Sequence, residues 1–135
     1  MTLAEIFASA LKSYWFDNAP IYTCDRTGSR YTCDPAPMDT DEDWIVYVES
    51  FSKFQGWAIN AGFEKTTPED HEAYGSGEVE FKTYRRGEMN LIVTEDRQFY
   101  DDWMLATCVC RELNLLEKAD RIRVFQGILY GNWSP

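Results

Sequence analysis

The spacing of apolar residues along the chain changes several times, and each change marks an element. Leu3, Ile6, Phe7, Ala10, Leu11 and Tyr14 recur at helical spacing, so residues 3–16 read as an amphipathic packing helix with Thr2 as its N-cap. Asn18-Ala19-Pro20 ends it, and a first strand follows from Ile21 to Cys24. Ile45-Val46-Tyr47-Val48 is an unbroken run of β-branched and aromatic residues, the mark of a strand buried on both faces. Phe51, Phe54, Trp57, Ala58 and Ala61 return to helical spacing, with Gly62 placed to close the helix. Residues 64–77 are polar and interrupted by Pro68, Gly75 and Gly77, which predicts a surface loop near the active face.

From Glu78 to Tyr84 the period is two, with Val79, Phe81 and Thr83 alternating against Glu78, Glu80, Lys82 and Tyr84. Arg85-Arg86-Gly87 is then expected to turn the chain into a partner strand from Met89 to Thr94. Phe99, Trp103, Ala106, Cys110 and Leu113 share one face of a helix over Asp96–Leu113. A last helix, Glu117–Tyr130, stops at Gly131. These elements predict an α/β (α+β) domain: a small mixed sheet, helices packed on one side of it, and a C-terminal helical pair. The whole chain, 1–135, reads as one domain, with a sheet-containing core over 1–94 and helices over 95–135. Internal repeats and low-complexity stretches are absent from the sequence.

Composition narrows the function. With 44% hydrophobic and 16% aromatic residues, the chain has the means to build a core and is not a disordered polymer. A net charge of −10 argues against broad non-specific binding to nucleic acid, whose affinity comes largely from Lys and Arg. No apolar run approaches the ~20 residues of a membrane span, and no charged-then-apolar leader opens the chain, so the expected location is cytoplasmic. Cys24, Cys33, Cys108 and Cys110 lack a zinc spacing and read as buried reduced thiols.

The chemistry concentrates in Gly28 to Val48, GSRYTCDPAPMDTDEDWIVYV. Asp41 and Asp43 enter the apolar strand from the same face, roughly 6–7 Å apart along it. Two carboxylates so placed repel each other unless a cation lies between them, and hard oxygen ligands suit Mg²⁺ shared with substrate phosphates. The Gly28-Ser29 turn offers backbone N–H groups and a hydroxyl to those phosphates. A calcium loop fails here: Trp44 stands where the sharp turn requires Gly, and Ser50 where a bidentate Glu is needed. The lone histidine, His71, falls in the polar loop and reads as solvated.

Gly-Ser, eleven residues, then Asp41-Glu42-Asp43 running into Trp44-Ile45-Val46 resembles the signature of the nucleotidyltransferase superfamily. Asp25-Arg26-Thr27 departs from it by placing polar residues where an apolar strand end is usual. Asn90-Leu91-Ile92-Val93-Thr94-Glu95-Asp96 and the stretch from Lys118 to Gly131 are similar to small bacteriophage-encoded nucleotidyltransferase-like proteins, and together the two likenesses span most of the chain. The resemblance implies a Mg²⁺-dependent (or Mn²⁺-dependent) transfer of a nucleotidyl group from a nucleoside triphosphate to a hydroxyl acceptor: RNA, protein or small molecule. It implies that Asp41 and Asp43 hold two ions roughly 3.5–4 Å apart, and that Gly28, Ser29 and Arg30 bind the nucleotide. A third carboxylate is expected on the strand facing the aspartates, where this chain has Asn90, with Glu88 two residues earlier as its substitute.

Lys118 and Arg121 lie three apart and so share a helical face, a candidate partner for the leaving pyrophosphate. The reading of a different class is a nucleotidyltransferase fold without turnover, an acidic phage protein that binds a basic host surface and modulates the protein presenting it. It follows from Asn90 and from the net charge of −10.

Overall fold

A computed structural model describes residues 19–38, 41–67 and 81–131. The expected helix over 3–16, the start of the strand at Glu78, and His71 lie outside the described residues.

The apolar run at Ile45 forms the middle of a strand, β2 (Glu42–Val48), and it is buried on both faces as its composition requires. Trp44, Val46 and Val48 face one side of the sheet, and Ile45 faces the other. β2 pairs antiparallel with β1 (Ile21–Thr27) and parallel with β5 (Met89–Thr94). Beyond β5 the sheet continues antiparallel through β4 (Lys82–Arg86) to the edge strand β3 (Glu64–Thr66), giving the order β1-β2-β5-β4-β3. The mixed sheet is therefore present, with a single parallel pairing at its centre among the described strands.

Helices cover both faces of this sheet rather than one. A one-turn helix, α1 (Ser29–Thr32), follows β1, and α2 (Phe51–Asn60) follows β2. Phe54 and Ala58 of α2 pack on Trp44, Val46, Tyr84, Leu91 and Val93. On the opposite face α3 (Arg97–Glu112) sets Phe99, Trp103, Ala106 and Cys110 against Ile45, Ile92 and Phe81. α4 (Lys118–Tyr130) completes that layer, with the Phe125 ring edge-on to Trp103 at 4.8 Å between centroids. Asp96 caps α3 by accepting from the backbone N–H of Gln98 at 2.8 Å and of Phe99 at 3.1 Å.

Three boundaries differ from the sequence expectation, each for a tertiary reason. β1 does not stop at Cys24 but continues through Asp25-Arg26-Thr27. Its polar side chains find partners on α3: Tyr100 donates to Asp25, and Trp103 Nε1 donates to Thr27 Oγ1 at 2.9 Å. Thr27 and Thr107 hydroxyls are 2.8 Å apart, so the buried Thr27 hydroxyl is satisfied. Arg26, on the other face, lies over the Trp44 ring. Arg85 and Arg86 belong to β4 rather than to a turn; the turn is Gly87-Glu88, with Gly87 at φ 58 taking the positive angle that a two-residue hairpin asks of its first central residue. Glu64–Thr66, expected in a loop, pairs with β4 as the edge strand. Among the described residues no helix is long and apolar enough to cross a membrane.

Candidate functional site

One row of register-matched residues crosses the sheet: Thr27 on β1, Asp43 on β2, Asn90 on β5 and Arg85 on β4. Register partners in adjacent strands face the same side, so Asp43, Asn90 and Arg85 project together at one end of the sheet. Asp41, just before β2, joins them by an ion pair with Arg85 Nη2. Glu42 points to the opposite face, as alternation demands; there it accepts from Trp44 Nε1 at 3.1 Å and lies 3.9 Å from Arg26.

Asp43 is held from two sides. Asn90, only 4% exposed, donates its Nδ2 to Asp43 Oδ1 at 3.0 Å. On the other side the carboxylate rests against Gly28: a Cβ built there would stand 2.0 Å from Asp43 Oδ2. Gly28 also has φ +79, so the position requires glycine both for its backbone angle and for the space the aspartate fills. Burial pushes the Asp43 carboxyl up from 3.8 to about 6; the Asn90 hydrogen bond opposes this, the Asp41 charge adds to it, and Arg85 and Arg26 offset it.

The turn that brings Gly28 to Asp43 is itself anchored. α1 is bonded back to Gly28 through the N–H groups of Tyr31 and Thr32, both at 3.0 Å. Arg111 on α3 stacks over the Tyr31 ring at 4.3 Å. Beyond α1, Asp34 and Asn114 exchange two hydrogen bonds of 2.9 Å, fixing the loop to the end of α3. The N–H groups of Ser29 and Arg30 open the first turn of α1 and so have no intrahelical acceptor.

The same arrangement of strands and helices occurs in a solved protein. The chain is similar to conserved protein GrpB from Enterococcus faecalis, seen in a crystal structure, with a TM-score of 0.58 and 15% identity over 96% of this chain and 92% of that one. The fold is GrpB-like. At that identity the likeness concerns the fold alone. No family model and no curated protein matches the chain.

On this GrpB-like scaffold the expected site residues divide into two groups. Gly28, Asp41, Asp43 and Asn90 converge, and Asn90 stands directly beside Asp43 where the third acid was expected. Glu88 does not share the strand face with Asn90: it occupies the hairpin turn, 83% exposed, with Oε2 3.7 Å from Arg30 Nη1. Arg30 and Glu88 thus form the rim. Lys118 and Arg121 do not make the shared cationic face. Lys118 is exposed, whereas Arg121 is buried and donates to Leu115 O at 2.9 Å, Leu116 O at 2.7 Å and Cys33 Sγ at 3.3 Å. Its guanidinium ties the α3–α4 connection to the end of α1. Arg85 is the site residue the sequence reading missed. Extending the period-two pattern of β4 past Tyr84 would have placed it on the face of Thr83.

Among the described residues no group of three or more His, Cys, Asp or Glu side chains could hold a metal by itself. The donor set is two carboxylates beside one amide, and a guanidinium already stands in as the cation on Asp41. Hard oxygens in that number fit a divalent ion that draws its remaining ligands from phosphate and water.

Proposed function

We propose that the chain binds a nucleoside triphosphate with a divalent cation at the Asp41–Asp43 mouth and moves its nucleotidyl group to a hydroxyl acceptor. The observation that supports this best is the contact between Gly28 and Asp43, which sets the start of α1 beside the aspartate pair. Phosphates received by the N–H groups of Ser29 and Arg30 and by the Ser29 hydroxyl would then lie next to both carboxylates. Asp41 and Asp43 would hold Mg²⁺ or Mn²⁺, which supplies charge neutralisation for the phosphates and the leaving pyrophosphate. Asn90 orients Asp43 through its Nδ2 and, being an amide, takes no proton. Glu88 on the rim is the carboxylate proposed to accept the proton of the attacking hydroxyl.

The test is a melting-temperature shift on adding Mg²⁺ with a triphosphate, followed by transfer of labelled nucleotide to acceptors in a cell lysate. The wild type should be stabilised through binding linkage. Asp41→Asn/Asp43→Asn should lose the shift, and Glu88→Gln should lose transfer while keeping it. A shift that survives the double substitution overturns the assignment.

A second reading, binding without turnover, is favoured by Asn90, which leaves the row one acid short of a two-metal site. In that form the protein would use its charge of −10 to meet a basic partner surface. Stabilisation by triphosphate with no transfer from any of the four nucleotides selects it.

A further inference from the structure

We infer that Arg85 is the resident counter-cation of the aspartate pair and, when a divalent ion takes Asp41, becomes a ligand for the terminal phosphates of the triphosphate. The inference rests on the metal–triphosphate reading above and adds to it a residue and an exchange of partners.

Three observations carry it. First, register places Arg85 opposite Asn90, itself opposite Asp43, so the arginine sits on the site face two strands from the partly buried aspartate. Second, Nη2 pairs with Asp41 while Nε donates to Gly87 O at 3.2 Å, which aims the guanidinium fork at the mouth from the hairpin end of β4. Third, the Arg85 side chain is about half exposed, unlike Arg121, whose guanidinium is buried on backbone carbonyls. An exposed Arg–Asp pair holds its partners by only about five-fold in equilibrium terms, so its head is free to change partner without disturbing the fold.

Charge dictates the direction of the exchange. A divalent ion on Asp41 repels the guanidinium that occupied the same oxygen. The phosphates brought by that ion attract it, and the planar fork of arginine matches a phosphate in bidentate fashion. Arg85 therefore opposes the bare metal and favours the metal–triphosphate complex, two effects of opposite sign on one residue. A purely structural ion pair opposes the bare metal but does not favour the metal–triphosphate complex.

The experiment compares wild type, Arg85→Gln and Arg85→Lys. Binding of Mn²⁺ alone is read from the spin resonance of the free ion, and binding of Mn²⁺ with α,β-methylene ATP by calorimetry. Arg85→Gln should bind Mn²⁺ alone about five-fold tighter and the Mn²⁺–analogue complex at least about ten-fold weaker. Arg85→Lys should stay near wild type for the bare ion and fall between the two for the complex, because an ammonium keeps the charge without the fork. Unchanged or weaker Mn²⁺ binding in Arg85→Gln overturns the counter-cation, and unchanged analogue affinity overturns the phosphate ligand. A wild type that binds both probes while Arg85→Gln behaves identically removes this inference alone. A wild type that binds neither removes the functional reading and the inference together.

Discussion

Asp43 is expected to destabilise the protein it serves, and the size of that effect follows from its surroundings. Its carboxyl is raised from 3.8 to about 6, chiefly because burial disfavours the charged form. Between those two values the folded state holds a proton that the unfolded state has released, so stability falls as pH rises through about 6. Below about 3.8 this loss is absent; above about 6 it is complete. Two pKa units correspond to about 3 kcal/mol, an upper limit for a side chain that keeps some contact with water.

Asp43→Asn has no charge to bury, and its Oδ1 still accepts from Asn90 Nδ2. In metal-free buffer with a chelator, the substitution should therefore raise stability by about 2–3 kcal/mol at pH 8, or about 6–9 °C in melting temperature. The advantage should shrink to well under about 1 kcal/mol by pH 4, where the folded wild-type carboxyl is neutral and the unfolded one only partly ionised. Chemical denaturation of both proteins across pH 4–8 measures the difference curve, in which the titration of carboxylates remote from Asp43 cancels. Equal stabilities at pH 8, or a variant weaker than wild type throughout, would refute the argument that a partly buried anion is held there. Adding Mg²⁺ and triphosphate should then reverse the order, since only the wild type keeps the ligand.

Gly28→Ala places a methyl group 2.0 Å from Asp43 Oδ2 at a φ of +79, and should cost at least about 2 kcal/mol while abolishing the triphosphate-dependent shift; an unchanged melting temperature would mean the turn and the aspartate strand are not in contact. Arg121→Met removes the donors to Leu115 O, Leu116 O and Cys33 Sγ and should lower stability by about 2–3 kcal/mol. In that variant the triphosphate-dependent shift should persist, and its loss would return Arg121 to the phosphate site.

Much of the fold can be read from local patterning. β2, β5, α2, α3 and α4 lie within a few residues of where periodicity and capping residues set them, because each buries one face or both and the alternation records it. The Gly-Ser turn and the aspartate pair were visible for the same reason: two carboxylates leading into a buried strand are a local conflict that a site resolves. Asn90 could be placed because Met89–Thr94 reads as a strand and the resemblance calls for a third carboxylate there, although its register beside Asp43 came from the structure.

What the chain alone could not convey was the set of partners supplied from elsewhere. Asp25-Arg26-Thr27 looks like a strand end until Tyr100, Trp103 and Thr107 arrive from α3 to satisfy Asp25 and Thr27. Lys118 and Arg121 look alike on a helical wheel, yet the carbonyls at Leu115 and Leu116 take one of them into the interior. Arg85 looks like a turn residue until the β4 pairing with β5 carries it to Asp41. Amphipathic periodicity is a property of neighbours along the chain, whereas a polar side chain becomes core, clamp or ligand according to the groups packed against it from distant segments, and only the tertiary structure decides those.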